Sequence, residues 1–393
     1  MLNTPFSPWP SFTQVEVDAV SRVLLSNKVN YWTGNECREF EKEFAAWAGC
    51  EYAIALSNGT LALDVALKAL GVGEGDEVIT TSRTFLASAS AIVTAGANPV
   101  FADVDLNSQN ITAETIDAVV TKKTKAVIVV HLAGMPAEMD AIMALAAERG
   151  FYVIEDCAQA HGAKYKGRSV GTIGHIGAWS FCQDKIMTTG GEGGMVTTND
   201  HALWSTMWSY KDHGKSYDAV YNRQHPPGFR WLHESFGTNW RMTELQGVIG
   251  RIQLKRMAEW TAKRQHNGRM IDEAVSDLSI VRSVEVADYI EHAEYKHYLF
   301  VNPEQLKDDW SRDQIVEEIN ACGVPVYQGS CSEIYLEKAF DNTPWRPKKR
   351  LKNAVVLGDS SLMFLVHPTL TEDEMQKTCR VLREVLLRAQ KGQ

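Results

Sequence analysis

The 393 residues contain no H-E-x-x-H, no G-x-x-x-x-G-K-[ST] and no G-x-S-x-G, so zinc-peptidase, P-loop and serine-hydrolase chemistry have no motif to start from. The seven cysteines, Cys37, Cys50, Cys157, Cys182, Cys322, Cys331 and Cys379, include no pair at metal-ligand or redox spacing. That argues against a metal site and a disulfide framework, and for a reducing compartment. Positive charge is also scarce: 40 Lys and Arg against 49 Asp and Glu leave a net charge of −9, which excludes a basic surface tracking nucleic-acid phosphates. The longest uncharged stretch, residues 85–102, is broken by Ser, Thr, Gly, Asn and Pro and makes a poor membrane span. The first ten residues lack the basic flank and apolar run of a signal peptide. The expectation is a cytoplasmic protein with neither nucleic acid nor membrane as partner.

What is present is a folded-protein balance, 45% apolar and 23% charged residues. The length suits one large domain and a smaller one. Thr13 with Glu16 forms a capping-box signature, and Val17, Val20, Val23 and Leu24 supply one apolar helix face after it. From Tyr52, short β-rich runs alternate with helical patterns: YAIALS, a helix over 60–70, EVIT, a helix over 87–95, PVFADV, AVIVV, a helix over 137–149 and YVIED. These strands are apolar throughout, as parallel strands covered on both faces should be. Two shorter β-like pieces, 178–181 and 195–198, precede a long helical stretch from Thr243 to about Asn267. Beyond about residue 270 come looser runs such as YLFV and helices capped by Ser311 with Gln314 and by Thr371 with Glu374. The expected fold is α/β. A large domain, residues 1–255, has an N-terminal helical arm and a mainly parallel central sheet covered by helices on both faces. A smaller C-terminal α+β domain spans 256–393.

Open parallel sheets bind ligands beyond the carboxyl ends of their strands. After YAIALS come Asn58, Gly59 and Thr60 at a helix start, suited either to a phosphate or to ordinary capping. After EVIT an uncharged turn brings Phe85 to the next helix, for ligand contact or core packing. YVIED ends in Glu155 and Asp156, with Gln159 and His161 close behind; a carboxylate there can pair with a cationic ring nitrogen or cap a helix. The run from Ser180 to Gly194 sets Lys185 among apolar and small residues ahead of a glycine-rich turn. A lysine in a partly dry pocket loses its proton more readily and becomes a nucleophile toward carbonyls, whereas a solvated lysine does not. The basic cluster Arg346, Lys348, Lys349, Arg350 and Lys352 is either a solvated helix start or a diphosphate contact.

Seven segments in order, FEKEFAAWAG, SNGTLALDVALKALGVGEGDEVI, PVFADVD, EDCAQAHGAKYKGRSVGTIG, residues 180–194, NWRMTELQ and HPTLTEDEM, span nearly the whole chain. Together they resemble the DegT/StrS-type nucleotide-sugar aminotransferases, a branch of the fold type I aspartate aminotransferase superfamily. The resemblance implies pyridoxal 5'-phosphate as cofactor, with Lys185 as the lysine that carries it. It also implies that Asp156 pairs with the pyridine nitrogen, that Gln159 lies near the phenolic oxygen and that Phe85 packs on the ring. Gly59, Thr60 and Ser180 would hold the phosphate, and Asn239 would reach it from the other subunit of a homodimer with shared active sites. Candidate sugar contacts are Tyr31, Trp32, Thr33, His213, Tyr327 and Tyr335. Two departures stand out: seven residues rather than six separate Lys185 from Glu192, through the extra glycine of Gly190-Gly191, and Thr81 replaces the family's common proline.

By the same resemblance L-glutamate is the amino donor. The favoured acceptor is the C4 ketone of a nucleotide-linked 4-keto-6-deoxy sugar, a UDP-2-acetamido-2,6-dideoxy-4-keto-hexose being one form, made for surface polysaccharide or glycan. Amination at C3 is the alternative. A relative that removes a 3-hydroxyl carries histidine where the lysine would be. Lys185 therefore favours amino transfer over dehydration, and over a silent homologue acting as a regulator or binding protein.

Overall fold

In the computed structural model, which describes residues 5–391, helices and strands run in this order: α1 (Gln14–Leu25), α2 (Glu36–Ala48), β1 (Tyr52–Leu56), α3 (Gly59–Ala69), β2 (Glu77–Thr81), α4 (Ala87–Thr94) and β3 (Asn98–Ala102). There follow α5 (Ala113–Asp117), β4 (Thr124–Val130), α6 (Met139–Arg149), β5 (Tyr152–Asp156), β6 (Lys164–Tyr165), β7 (Arg168–Ser169), β8 (Ile176–Ser180) and β9 (Gly194–Thr198). Then come α7 (His201–Lys211), α8 (Tyr217–Tyr221), α9 (Glu244–Leu254), α10 (Met257–Val275), β10 (Val281–Ser283), β11 (Ile290–Glu291) and β12 (His297–Val301). The last are α11 (Arg312–Ala321), β13 (Val326–Tyr327), α12 (Lys352–Ser360), β14 (Ser361–Phe364) and α13 (Glu372–Ala389).

The central sheet has seven strands in the order β1-β9-β8-β5-β4-β2-β3. The run β8-β5-β4-β2-β3 is parallel, and β9 pairs antiparallel with both β8 and β1. Side chains alternate across its strands as a two-residue period demands. Ile54, Leu56, Val78, Ile128 and Ile154 pack with Leu63, Val65 and Leu67 of α3. Ile79, Val127, Val129 and Val153 face Met139, Ile142 and Ala146 of α6 on the other side. Burial on both faces is why these strands read as unbroken apolar runs.

A second sheet, β10-β12-β14-β13, is antiparallel throughout and packs with α10, α11 and α13. The capping boxes expected at Thr13 and Thr371 are present, and Ser311 accepts from the Gln314 N–H. A three-stranded sheet, β11-β6-β7, joins the stretch ahead of β12 to the loop after β5. The N-terminal segment crosses the molecule: Trp9 packs edge-on against Trp260, and Thr369 Oγ1 donates to the Pro8 carbonyl at 2.8 Å. The helical stretch expected from Thr243 to about Asn267 is two helices rather than one. α9 packs on α1 and α2 while α10 turns away toward α13. Arg256, at the join, is held by Glu16 of α1 at 2.7 Å. Local helix propensity is continuous across the join, so only the packing marks it.

The carboxyl end of β5 organises the next layer. Glu155 is fully buried; Oε1 accepts from the Ile173 N–H at 2.8 Å and the Gly174 N–H, and Oε2 from the Gly171 N–H at 2.8 Å. His131 Nε2 lies 3.0 Å from Oε2. Burial pushes this carboxyl up, but His131 and the backbone N–H groups outweigh it and hold it below its ordinary range. Glu155→Ala leaves His131 and three N–H groups without their acceptor and should cost on the order of 3–5 kcal/mol in chemical denaturation.

Candidate active site

A cavity of about 1080 Å³ lies beyond the carboxyl ends of the central strands and is closed on its far side by the second sheet. Gly59, Thr60, Phe85, Asp156, Gln159, Ser180 and Lys185 all line it.

The first corner is the start of α3. Asn58 caps the helix by accepting from the Leu61 N–H at 3.0 Å, which leaves the earlier N–H groups of Gly59 and Thr60 without helical acceptors. A side chain at 59 would be impossible here, because a Cβ would stand 2.5 Å from the Ser180 Cβ. Glycine therefore lets the helix start meet the Ser180 hydroxyl. Backbone N–H groups, a hydroxyl and the positive end of a helix make a cradle for a phosphate.

The second corner is Asp156, 7% exposed. Ser88 Oγ donates to its Oδ2 at 2.9 Å, Thr84 Oγ1 lies 3.0 Å from Ser88 Oγ, and the Ala158 N–H reaches Oδ1 at 3.1 Å. No ion pair forms at Asp156 among the described residues, and burial raises its carboxyl above the ordinary range. A cationic ring nitrogen aimed at it would supply the missing counter-charge.

Lys185 occupies the third corner, its side chain 17% exposed. Its Nζ sits 3.3 Å from Asp184 Oδ1 and 5.4 Å from the Tyr295 ring centroid. The Tyr295 hydroxyl donates to Asp184 Oδ2, and Trp9 Nε1 donates to the Lys185 carbonyl at 2.8 Å. The extra glycine is absorbed in the turn that follows: Gly190 and Gly191 take φ of 89° and 117°, which L side chains avoid. The Gly191 N–H then reaches Thr188 Oγ1 at 3.1 Å, and Gln246 Nε2 donates to the Glu192 carbonyl at 2.8 Å.

The sequence model of the DegT/DnrJ/EryC1/StrS aminotransferase family matches residues 10–383. The chain belongs to this family. The solved aminotransferase from Psychrobacter cryohalolentis is 64% identical, covering 98% of this chain and 100% of that one with a TM-score of 0.96. A GDP-perosamine synthase of Caulobacter vibrioides is 35% identical over 89% of this chain and 90% of its own length. The UDP-N-acetyl-3-dehydro-alpha-D-glucosamine 3-aminotransferase of Acidithiobacillus ferrooxidans is 33% identical over 92% of each. This aminotransferase is a pyridoxal-phosphate-dependent sugar aminotransferase. Its three corners, an anion cradle, an unpaired carboxylate and an amine, suit the cofactor's phosphate, ring nitrogen and aldehyde in turn.

The remaining expected residues divide. Phe85 is 74% exposed, with its ring at the cavity wall, and Gln159 Oε1 accepts from the Ala133 N–H at 2.7 Å. His161 is turned away from the cavity, buried against Trp179 and Phe181, and burial pushes it down to about 3. Asn239 is exposed, bridged to Asp212, and outside this chain's cavity. Of the six sugar-contact candidates only Tyr327 lines it. Tyr31 and Tyr335 lie in the core, their hydroxyls donating to Glu41 at 3.0 Å and to Glu333. Trp32 packs with Trp208 and Tyr221, while Thr33 and His213 are exposed elsewhere. In the basic cluster, Arg346 pairs with Asp341 and Arg350 with Glu333, and no member lines the cavity.

Sequence reasoning missed the far wall, where Tyr295, Lys296, Tyr298 and Met363 stand. Its one signal was the alternation in YLFV, which could have sent Tyr298 to one face. Behind that wall His297 Nε2 lies 3.0 Å from Asp272 and Nδ1 3.2 Å from Glu294. Burial pushes this imidazole down, yet the Glu294 charge and the two carboxylate contacts outweigh it and raise it to about 10. A raised folded-state pKa gives stability that is complete below the unfolded value near 6.5 and is lost as pH rises through 10. His297→Gln should therefore flatten the fall of unfolding free energy between pH 7 and pH 10 that wild type shows in denaturant titrations.

Proposed function

We propose that this aminotransferase moves the amino group of L-glutamate to the C4 ketone of a nucleotide-linked 4-keto-6-deoxy sugar, for surface polysaccharide or glycan. The observation that carries the reading is Lys185 beside Asp184 in a cavity that also holds the unpaired Asp156. The GDP-perosamine synthase and the UDP-linked 3-aminotransferase among the relatives both support a nucleotide-linked sugar. The second of these favours C3 amination as the alternative position. Asn239, exposed and outside the cavity of its own chain, fits a residue lent to the other subunit of a homodimer.

Pyridoxal phosphate, when bound, supplies an aldehyde that takes up the amine and a ring that accepts electrons from the reacting carbon. Lys185 would hold it through its amine, and that same amine is placed to take the proton from the donor's α-carbon. Asp184 holds that amine in place at 3.3 Å. Asp156 would keep a proton on the ring nitrogen, its carboxylate held by Ser88 and the Ala158 N–H. Gly59, Thr60 and Ser180 would hold the phosphate, and Phe85 and Gln159, which line the same cavity, would contact the ring. Tyr327, on the second sheet, is the sugar contact of this chain's own cavity.

Purified protein should be yellow and should bleach when L-glutamate is added without acceptor. Lys185→Ala should lose that visible band and about 10²–10⁴-fold or more of turnover. Turnover of 3-keto and 4-keto nucleotide sugars, with NMR assignment of the aminated carbon, tests the position: a product aminated only at C3 overturns the C4 reading.

A further inference from the structure

Lys296 enters the cavity from the second sheet, directly ahead of β12. Strand alternation turns Lys296 and Tyr298 to the cavity wall, His297 to Glu294 and Asp272, and Leu299 to the core. Its ammonium stands 4.9 Å from the centroid of the Tyr295 ring, the same ring that Lys185 approaches at 5.4 Å. Among the described residues no carboxylate lies within 4.0 Å of it. Arg264, 1% exposed, lies close by. It donates through Nη1 to the Glu294 and Tyr295 carbonyls at 3.4 and 3.2 Å, while among the described residues its Nε and Nη2 have no acceptor. Of Lys185, Lys296 and Arg264, only Lys185 has a carboxylate within 4.0 Å among the described residues, Asp184, and that acid also accepts from Tyr295. Burial first, and the Arg264 charge second, hold the Lys296 amine down at about 8.

Buried cations keep their charge when an anion pairs with them. The cofactor's phosphate already has its cradle at Gly59, Thr60 and Ser180, next to the start of α3. A sugar's diphosphate is attached across the ring from the carbon that reacts, whereas Lys296 shares a ring contact with the reacting amine itself. A carboxylate meets the geometry: in an amino acid it is bonded directly to the carbon whose amino group is transferred.

Building on the reading of Lys185 as the reacting amine, we propose that Lys296 forms a carboxylate subsite of this active site. The carboxylate belongs to the amino donor, or to an acceptor sugar that bears one on its ring. The two sources are separated by binding measurements on the holoenzyme that need no turnover. Calorimetry with maleate, an unreactive dicarboxylate, probes the donor; UDP-glucuronate compared with UDP-glucose probes a sugar carboxylate. One charged hydrogen bond corresponds to about tenfold or more in affinity. Lys296→Met should weaken maleate by that factor if the donor is read, or abolish the preference for UDP-glucuronate if the sugar is read, and Lys296→Arg should restore either. Lys296→Gln serves as a second neutral variant should the methionine protein not fold. Changes below twofold in both arms, or a wild type that binds neither carboxylate, overturn the subsite. A wild type that binds maleate through Lys296 yet does not bleach with L-glutamate overturns the proposed reaction and leaves the subsite standing.

Discussion

Two adjacent carboxylates at the end of β5 must point in opposite directions, and much of the site depends on that. A strand turns successive side chains to opposite faces. Glu155 faces the interior, where His131 and the N–H groups of residues 171, 173 and 174 fill its acceptor positions. Asp156 then has to face the cavity, where Ser88 and one backbone N–H hold it and, among the described residues, no ion pair forms. One acid is satisfied structurally so that its neighbour can remain available. The loop held by Glu155 leads into β8, so the same carboxylate also sets where Ser180 and Lys185 emerge.

The far wall is brought into place by contacts distant in the chain. The 293–295 segment docks on the loop after β4 through the Ala293 and Tyr295 N–H groups, which donate to Gly134 and Ala133. Arg83, buried in the turn after β2, donates to Gln109 at 3.0 Å and to Ser361 of β14 at 3.1 Å, and its guanidinium lies 5.5 Å from the Tyr298 ring centroid. The Ile334 N–H donates to the Ser82 carbonyl in that same turn. These ties hold Tyr295, Lys296 and Tyr298 opposite Lys185, so the cavity is a product of both sheets.

Close backbone approach governs the remaining side. A Cβ at Gly194 would stand 2.2 Å from the Asn58 carbonyl oxygen, and one at Gly193 would stand 2.0 Å from Thr189 Oγ1. The glycines after Lys185 thus bring β9 against the start of α3, where the anion cradle lies. The additional glycine lengthens the turn without moving Lys185 from the cavity, because two successive positive φ angles take up the residue locally.

The parallel sheet, its strands and the capped helices were legible in the sequence because each is written locally, while the cofactor came from the family resemblance that the ordered motifs carry. Apolar runs, capping pairs and motif order do not depend on distant partners, and the groups at the strand ends, Gly59, Thr60, Asp156, Ser180 and Lys185, follow from them. The break between α9 and α10 was not legible, since helix propensity carries straight through it. Nor were the burial of Tyr31 and Tyr335 and the presence of Lys296 at the cavity. Each of these depends on which segments, tens to hundreds of residues apart, come to lie against one another. Local pattern therefore determined one wall of the cavity, and tertiary packing alone decided what stands opposite Lys185.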